Sequence, residues 1–158
     1  MLAPMMHSII HQYKGTPMTW QLFDIEILGN QAQVLVDDQY ITDNPGESLP
    51  NIAWFGVWCL KDTDGHFWSP EESDILDQIE SELLGLAAQF GNGWAVYVRR
   101  VISAGKREYF FYFGGDATLS DALPALQALH PGYRIEYDVK PDPEWTYYFS
   151  WLKESPNA

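Results

Sequence analysis

Between residues 51 and 139 the apolar pattern switches between strand alternation and helical spacing in one fixed order, and that order limits the fold more than any motif in the chain. In residues 52–60, Trp54, Gly56, Trp58 and Leu60 fall on one face and Phe55, Val57 and Cys59 on the other. Apolar residues on both faces predict a strand covered on both sides. Residues 62–65 then turn the chain, and Ser69-Pro70-Glu71-Glu72 reads as a helix start: Ser69 as N-cap, Pro70 at the first position and Glu72 completing a capping box. Ile75, Ile79, Leu83, Leu86 and Phe90 follow at helical spacing, with Gly91 beyond the end. Residues 94–102 and 108–113 are β-rich and joined by Ser103-Ala104-Gly105-Lys106, which predicts a hairpin at the middle of the sheet. Leu119, Ala122, Leu123, Leu126 and Leu129 suggest a second helix with Pro124 near its start, and residues 134–139 a last strand.

Strand, helix, strand, strand, helix, strand is the βαββαβ order of the ferredoxin-like α+β fold, an antiparallel sheet with both helices on one face. Two additions flank it. Phe23, Ile25 and Ile27 alternate with Asp24 and Glu26, Gly29-Asn30 supplies a turn, and Val34 to Val36 resume the pattern as an N-terminal β-hairpin. After a surface loop at residues 42–50 and the core, Asp142-Pro143-Glu144 caps an aromatic C-terminal segment, 145–152, of one or two helical turns. Residues 1–18 hold Pro4, Gly15 and Pro17 without periodicity and are expected to be a loose arm, disordered or dependent on a partner. The expected layout is therefore an arm at 1–18, one domain at 19–153 and a tail at 154–158.

A chain of 158 residues, 46% hydrophobic, suits one globular domain. Its 22 acids against 9 bases give a net charge of -13. Such a charge repels phosphate backbones and anionic lipid, so neither nucleic acid nor membrane is expected as a partner. Cys59 is the only cysteine, which excludes a disulfide framework and a cysteine metal site. No basic-then-apolar leader opens the chain and no apolar run nears the ~20 residues of a membrane span, so a cytoplasmic location is expected.

Four groups of residues are candidates for function. Asp142, Glu144, Trp145 and Tyr148 lie in a segment unusually aromatic for a chain end; either Trp145 plugs the core while Asp142 caps the turn, or these residues rim a partner surface. Arg107-Glu108-Tyr109-Phe110-Phe111-Tyr112-Phe113 falls where RNA-recognition domains carry stacking aromatics, but the glycines of that motif are missing. Arg99, Arg100, Lys106 and Arg107 form the basic cluster, able to hold an acidic ligand or to pair with the chain's own carboxylates. Asp74, Asp77 and Glu80 line one side of the first helix, as a solvated face or as an acidic surface for a basic partner. Asp62-Thr63-Asp64-Gly65-His66 resembles the start of a calcium loop but lacks the bidentate Glu, and His7 and His11 make only a weak pair. No nucleophile elbow, phosphate loop or dinucleotide loop is present, and the reading assigns no catalytic residue, metal or cofactor.

The hairpin opening at Trp20, the Ile79-Glu80 pair on a helix, the Tyr- and Phe-rich strand at 107–113, and the closing Asp142, Trp145 and Tyr148 together resemble the bacterial family catalogued as domain of unknown function 695. That family is similar in turn to the regulator of ribonuclease activity B family, acidic ferredoxin-like proteins that inhibit ribonuclease E by binding it. The resemblance implies a protein-binding regulator and no catalytic residues.

The leading expectation is thus a non-enzymatic acidic domain that binds a protein, with dimerisation through the sheet as a further expectation. The alternative is a small-molecule binder or hydrolase with an anionic ligand held near Arg99, Arg107 and Trp145.

Overall fold

The structure, a computed structural model, describes residues 19–61 and 70–154. Strand β1 (Trp20–Ile27) alternates apolar and polar residues and reverses into β2 (Asn30–Asp37) through Leu28 and Gly29. Both turn residues have positive φ, 51° and 84°, the geometry whose twist matches a two-residue hairpin. The reversal therefore falls one residue before the expected Gly29-Asn30, because Asn30 already pairs with Ile27 in the ladder. The chain continues through β3 (Asn51–Trp58), helix α1 (Ser73–Gly91), β4 (Ala95–Ser103), β5 (Lys106–Phe113), helix α2 (Ala122–Leu129), β6 (Ile135–Pro141) and helix α3 (Thr146–Leu152).

The six strands form one antiparallel sheet in the order β1-β2-β4-β5-β3-β6. This is a mixed α+β fold with α1 and α2 on one face. Alternation along the strands sends Ala53, Phe55 and Val57 of β3 and Tyr109 and Phe111 of β5 into a core with Leu76, Ile79 and Leu83 of α1 and Ala122 and Leu126 of α2. The stripe on α1 is rotated from the expected one: Leu76 is buried and Ile75 is 44% exposed. Asp77 and Glu80 turn inward with that stripe, which is the reason for the rotation.

The helix ends differ from expectation as well. A single 3-10 turn, Pro70–Glu72, precedes α1. The helix runs through Gly91 and closes on Asn92, whose φ of 49° supplies the left-handed cap expected just after a helix. Glu72 is not spent on the helix end. Its carboxylate accepts from the N–H groups of Leu60, at 3.0 Å, and Lys61 and from the Tyr133 hydroxyl, tying the end of β3 to α1. Pro124 sits in the first turn of α2, where no intrahelical N–H is lost. The arm at 1–18, the turn and calcium-like stretch at 62–66, the Ser69 cap and residues 155–158 lie outside the described residues.

Among the described residues the C-terminal segment covers only part of the opposite face of the sheet. Val36, Leu49, Ile52, Val98 and Tyr112 pack under Trp145, Tyr148 and Trp151 of the C-terminal segment. Beyond Trp151 no described element covers the face of β3, β5 and β6, and Trp54 and Trp58 are half-buried there. Among the described residues the second cover expected for β3 is present at Ile52 and stops short of Trp54, because α3 is only 7 residues long.

Among the described residues no helix is long and apolar enough to cross a membrane.

Candidate functional site

The basic hairpin supplies both faces of the sheet. In β4 the register shifts by one residue between Tyr97 and Arg99. This bulge puts Val98 and Arg99 together on the α3 face and returns Arg100 to the α1 face. Arg107 shares the α1 face. Arg99 and Arg107 thus lie on opposite sides of the sheet, and no single pocket can present both to an anion.

Beneath α1 the charges form a closed network. Glu80 and Arg100 are each 0% exposed and meet at 3.3 Å. Arg107 reaches Asp77 at 2.9 Å and Glu80 at 3.6 Å, and the Tyr97 hydroxyl donates to Glu80 at 3.2 Å. Burial pushes the Glu80 carboxyl above its ordinary range while Arg100 and Arg107 pull it back, so two guanidinium groups are what make a carboxylate tolerable there. The acidic surface expected at Asp74, Asp77 and Glu80 reduces to Asp74, the member of the three that remains exposed.

On the other face, Asp142 caps α3. It accepts from the N–H groups of Thr146 at 2.9 Å and Tyr147 at 3.0 Å, and from the Tyr112 hydroxyl at 2.6 Å. Trp145 is fully buried in the left-handed region at φ 57°, a strained backbone for a bulky residue. Its indole N–H donates to the Leu49 carbonyl at 3.0 Å, which holds it there. The Tyr148 hydroxyl donates to the Asp37 carbonyl at 2.7 Å. Trp145 and Tyr148 are therefore pins between the C-terminal segment and the sheet, while Glu144 is exposed beside them.

The same geometry leaves a groove of about 350 Å³ on the open face. Its walls are Trp54, Phe110, Tyr147 and Trp151, with Glu108, Asp138 and Lys140 at its edges. The strand expected to carry stacking aromatics contributes Phe110 here, whereas Arg107, Tyr109 and Phe111 face α1 and are buried.

Cations already rest on these aromatic rings. Arg99 lies 4.4 Å from the Trp151 ring centroid and 5.6 Å from that of Phe110, with Glu154 at 3.7 Å. Burial pulls the Arg99 guanidinium down to about 10, against the opposing charges of Glu154 and Glu108. Arg134 sits 3.9 Å over Trp58, with Lys106 5.6 Å from the same ring. Trp54 donates its indole N–H to Glu108 at 2.8 Å, and among the described residues no cation lies over its ring.

Gly56 makes this floor possible. A Cβ there would come within 2.5 Å and 2.7 Å of Trp54 ring carbons, so only glycine lets the Trp54 and Trp58 indoles fold across the strand between them. Sequence reasoning placed Trp54 on a strand but did not assemble the groove. The available signal was Trp-x-Gly-x-Trp in a strand, two indoles flanking the one residue that yields them space.

Among the described residues no group of three or more His, Cys, Asp or Glu side chains is placed to hold a metal ion.

An antiparallel α+β domain with one helical face and one partly open aromatic face is the class this geometry defines. The family model described as Family of unknown function (DUF695) matches residues 18–153, and the chain belongs to that family. No curated protein matches the chain.

Proposed function

We propose that the chain is a non-catalytic, cytoplasmic protein-binding domain of ferredoxin-like fold whose partner seats on the open half of the sheet, around Trp54, Phe110, Tyr147 and Trp151. The order of the last four strands across the sheet, β4-β5-β3-β6, with both crossing helices on one face, supports the fold reading. The observation that carries the functional reading is the groove itself. Tryptophan and tyrosine are enriched at the energetic centres of protein interfaces, and here Trp54, Tyr147 and Trp151 line one groove.

The chemically capable groups elsewhere are engaged in holding the fold. Asp77, Glu80, Arg100 and Arg107 pair with one another, and Asp142 is taken up by α3. The net charge of -13 suits a regulator steered to its partner by long-range attraction.

Affinity capture comparing wild type with Tyr147→Ala tests this, with Asp74→Lys on the α1 side as the control. The reading requires a specific partner that the groove variant loses and the control keeps. Loss in the control alone would place the binding face on α1 and end this reading.

A small ligand is the second reading, because the groove volume falls within the ~300–1,000 Å³ usual for small-molecule sites.

A further inference from the structure

We infer that the groove receives a cationic side chain, the guanidinium or ammonium group of a basic segment of the partner protein, over the Trp54 indole and between Glu108 and Asp138. The inference rests on the protein-binding reading and deepens it by naming the chemistry of what enters.

The first support is the pattern of ring occupancy on this face. Trp58 carries Arg134 and Lys106, and Arg99 of β4 lies buried against Phe110 and Trp151, so the rings around the groove are ones that hold cations. Trp54 has the same character. Its N–H donates to the Glu108 carboxylate at 2.8 Å, which raises the electron density of the ring and leaves its face to a visitor.

The second support is the charge at the edges. Asp138 is exposed, accepts the Val139 N–H at 2.9 Å with one oxygen, and joins no ion pair among the described residues. Glu108 lies on the other side of β3, paired across from Gly56, while Asp138 pairs across from Trp54. The indole is thus flanked by a carboxylate on each neighbouring strand; Glu108 is already shared with Lys106 at 3.6 Å, so Asp138 is the one of the two left to meet a visiting charge. A net charge of -13 draws a basic segment toward the protein before any contact forms.

Lys140 is the one lining residue of opposite sense. It stands on the edge strand β6, exposed, and fixes the sign of the test. A cationic visitor is opposed by Lys140 and an anionic one is held by it.

The experiment is a titration of the full chain with the peptide Ac-Arg-Ala-Arg-Ala-Arg-NH2 and its citrulline counterpart, followed through the indole N–H resonances. The Trp54 resonance should move saturably with the arginine peptide, and the citrulline peptide should bind roughly tenfold more weakly. Asp138→Asn should weaken the arginine peptide about threefold and Lys140→Glu should tighten it about threefold, both at exposed positions that leave the fold intact. An unmoved Trp54 resonance, equal binding of the citrulline peptide, or weakening by Lys140→Glu would each overturn the inference. So would a concentration-dependent dimer that itself buries Trp54, since the occupant would then be a second copy. If a captured partner depends on Tyr147 while the arginine peptide leaves Trp54 unmoved, the inference falls and the protein-binding reading stands.

Discussion

Trp145 lies flat on Tyr112, their ring centroids 3.9 Å apart and their planes 9° from parallel. The Tyr112 hydroxyl also donates to Asp142, the residue that caps α3. A stack and a cap therefore share one tyrosine, and together they fix how far the C-terminal segment covers the sheet. Where that cover stops, at Trp151, the groove begins.

Asp142→Ala removes the cap and strips the Tyr112 hydroxyl of its acceptor in a buried setting. The two losses together should cost about 2–4 kcal/mol. Urea unfolding should read the loss, and Asp142→Asn, which keeps an acceptor oxygen, should lose less.

Glu80→Gln leaves Arg100 and Arg107 facing each other with only Asp77 to neutralise them, at a fully buried site. Breaking a buried pair in this way costs about 3–5 kcal/mol. Asp74→Asn, nearly two helical turns earlier and exposed, should stay within about 0.5 kcal/mol of wild type. Equal effects in chemical unfolding would mean that the network under α1 does not anchor the helix.

Glu72 sets a pH dependence. Burial acts to raise its carboxyl, but the Tyr133 hydroxyl, the N–H groups of Leu60 and Lys61 and the Lys61 charge outweigh it and hold the group below its ordinary 4.5. A carboxyl lowered in the folded state contributes stability that is present above the unfolded value and lost as pH falls through the folded one. The stability gap between wild type and Glu72→Gln should thus be full at neutral pH and close in the acid range below 4.5. Glu80, raised by burial, acts in the opposite sense, so the comparison with Glu72→Gln isolates the effect where the wild-type curve alone would not.

Gly56→Ala should displace the Trp54 indole, because the added methyl has no room beside the ring. Overpacking of this kind costs about 1–3 kcal/mol, and the indole N–H resonance of Trp54 should shift with it. An unchanged resonance and stability would mean that the Trp54 ring is not seated across the strand.

The succession of strands and helices was legible because each element keeps its own period, and the hairpins were legible because Gly29 and Gly105 mark tight reversals. The facing of α1 was not. Ile75 looked like core by spacing, yet Leu76 is buried, because the helix turns Asp77 and Glu80 toward two arginines that lie on other strands. The Arg99 and Arg107 faces were hidden by the bulge at Val98, which changes the parity of β4. The acidic-surface and C-terminal candidates mixed residues of both kinds: Asp77, Glu80, Trp145 and Tyr148 are interior, while Asp74 and Glu144 are exposed. The groove was beyond reach of any local pattern, since its walls come from β3, β5, β6 and α3 and meet only in the folded sheet.

The measurement closest to the central claim is hydrogen–deuterium exchange of the chain alone and in complex with a captured partner. The account predicts new protection in β3, β5 and β6 around Trp54 and Asp138 and at the start of α3 around Tyr147, with α1 unchanged. Protection confined to α1 and α2, with the Trp54 region exchanging as in the free chain, would contradict it.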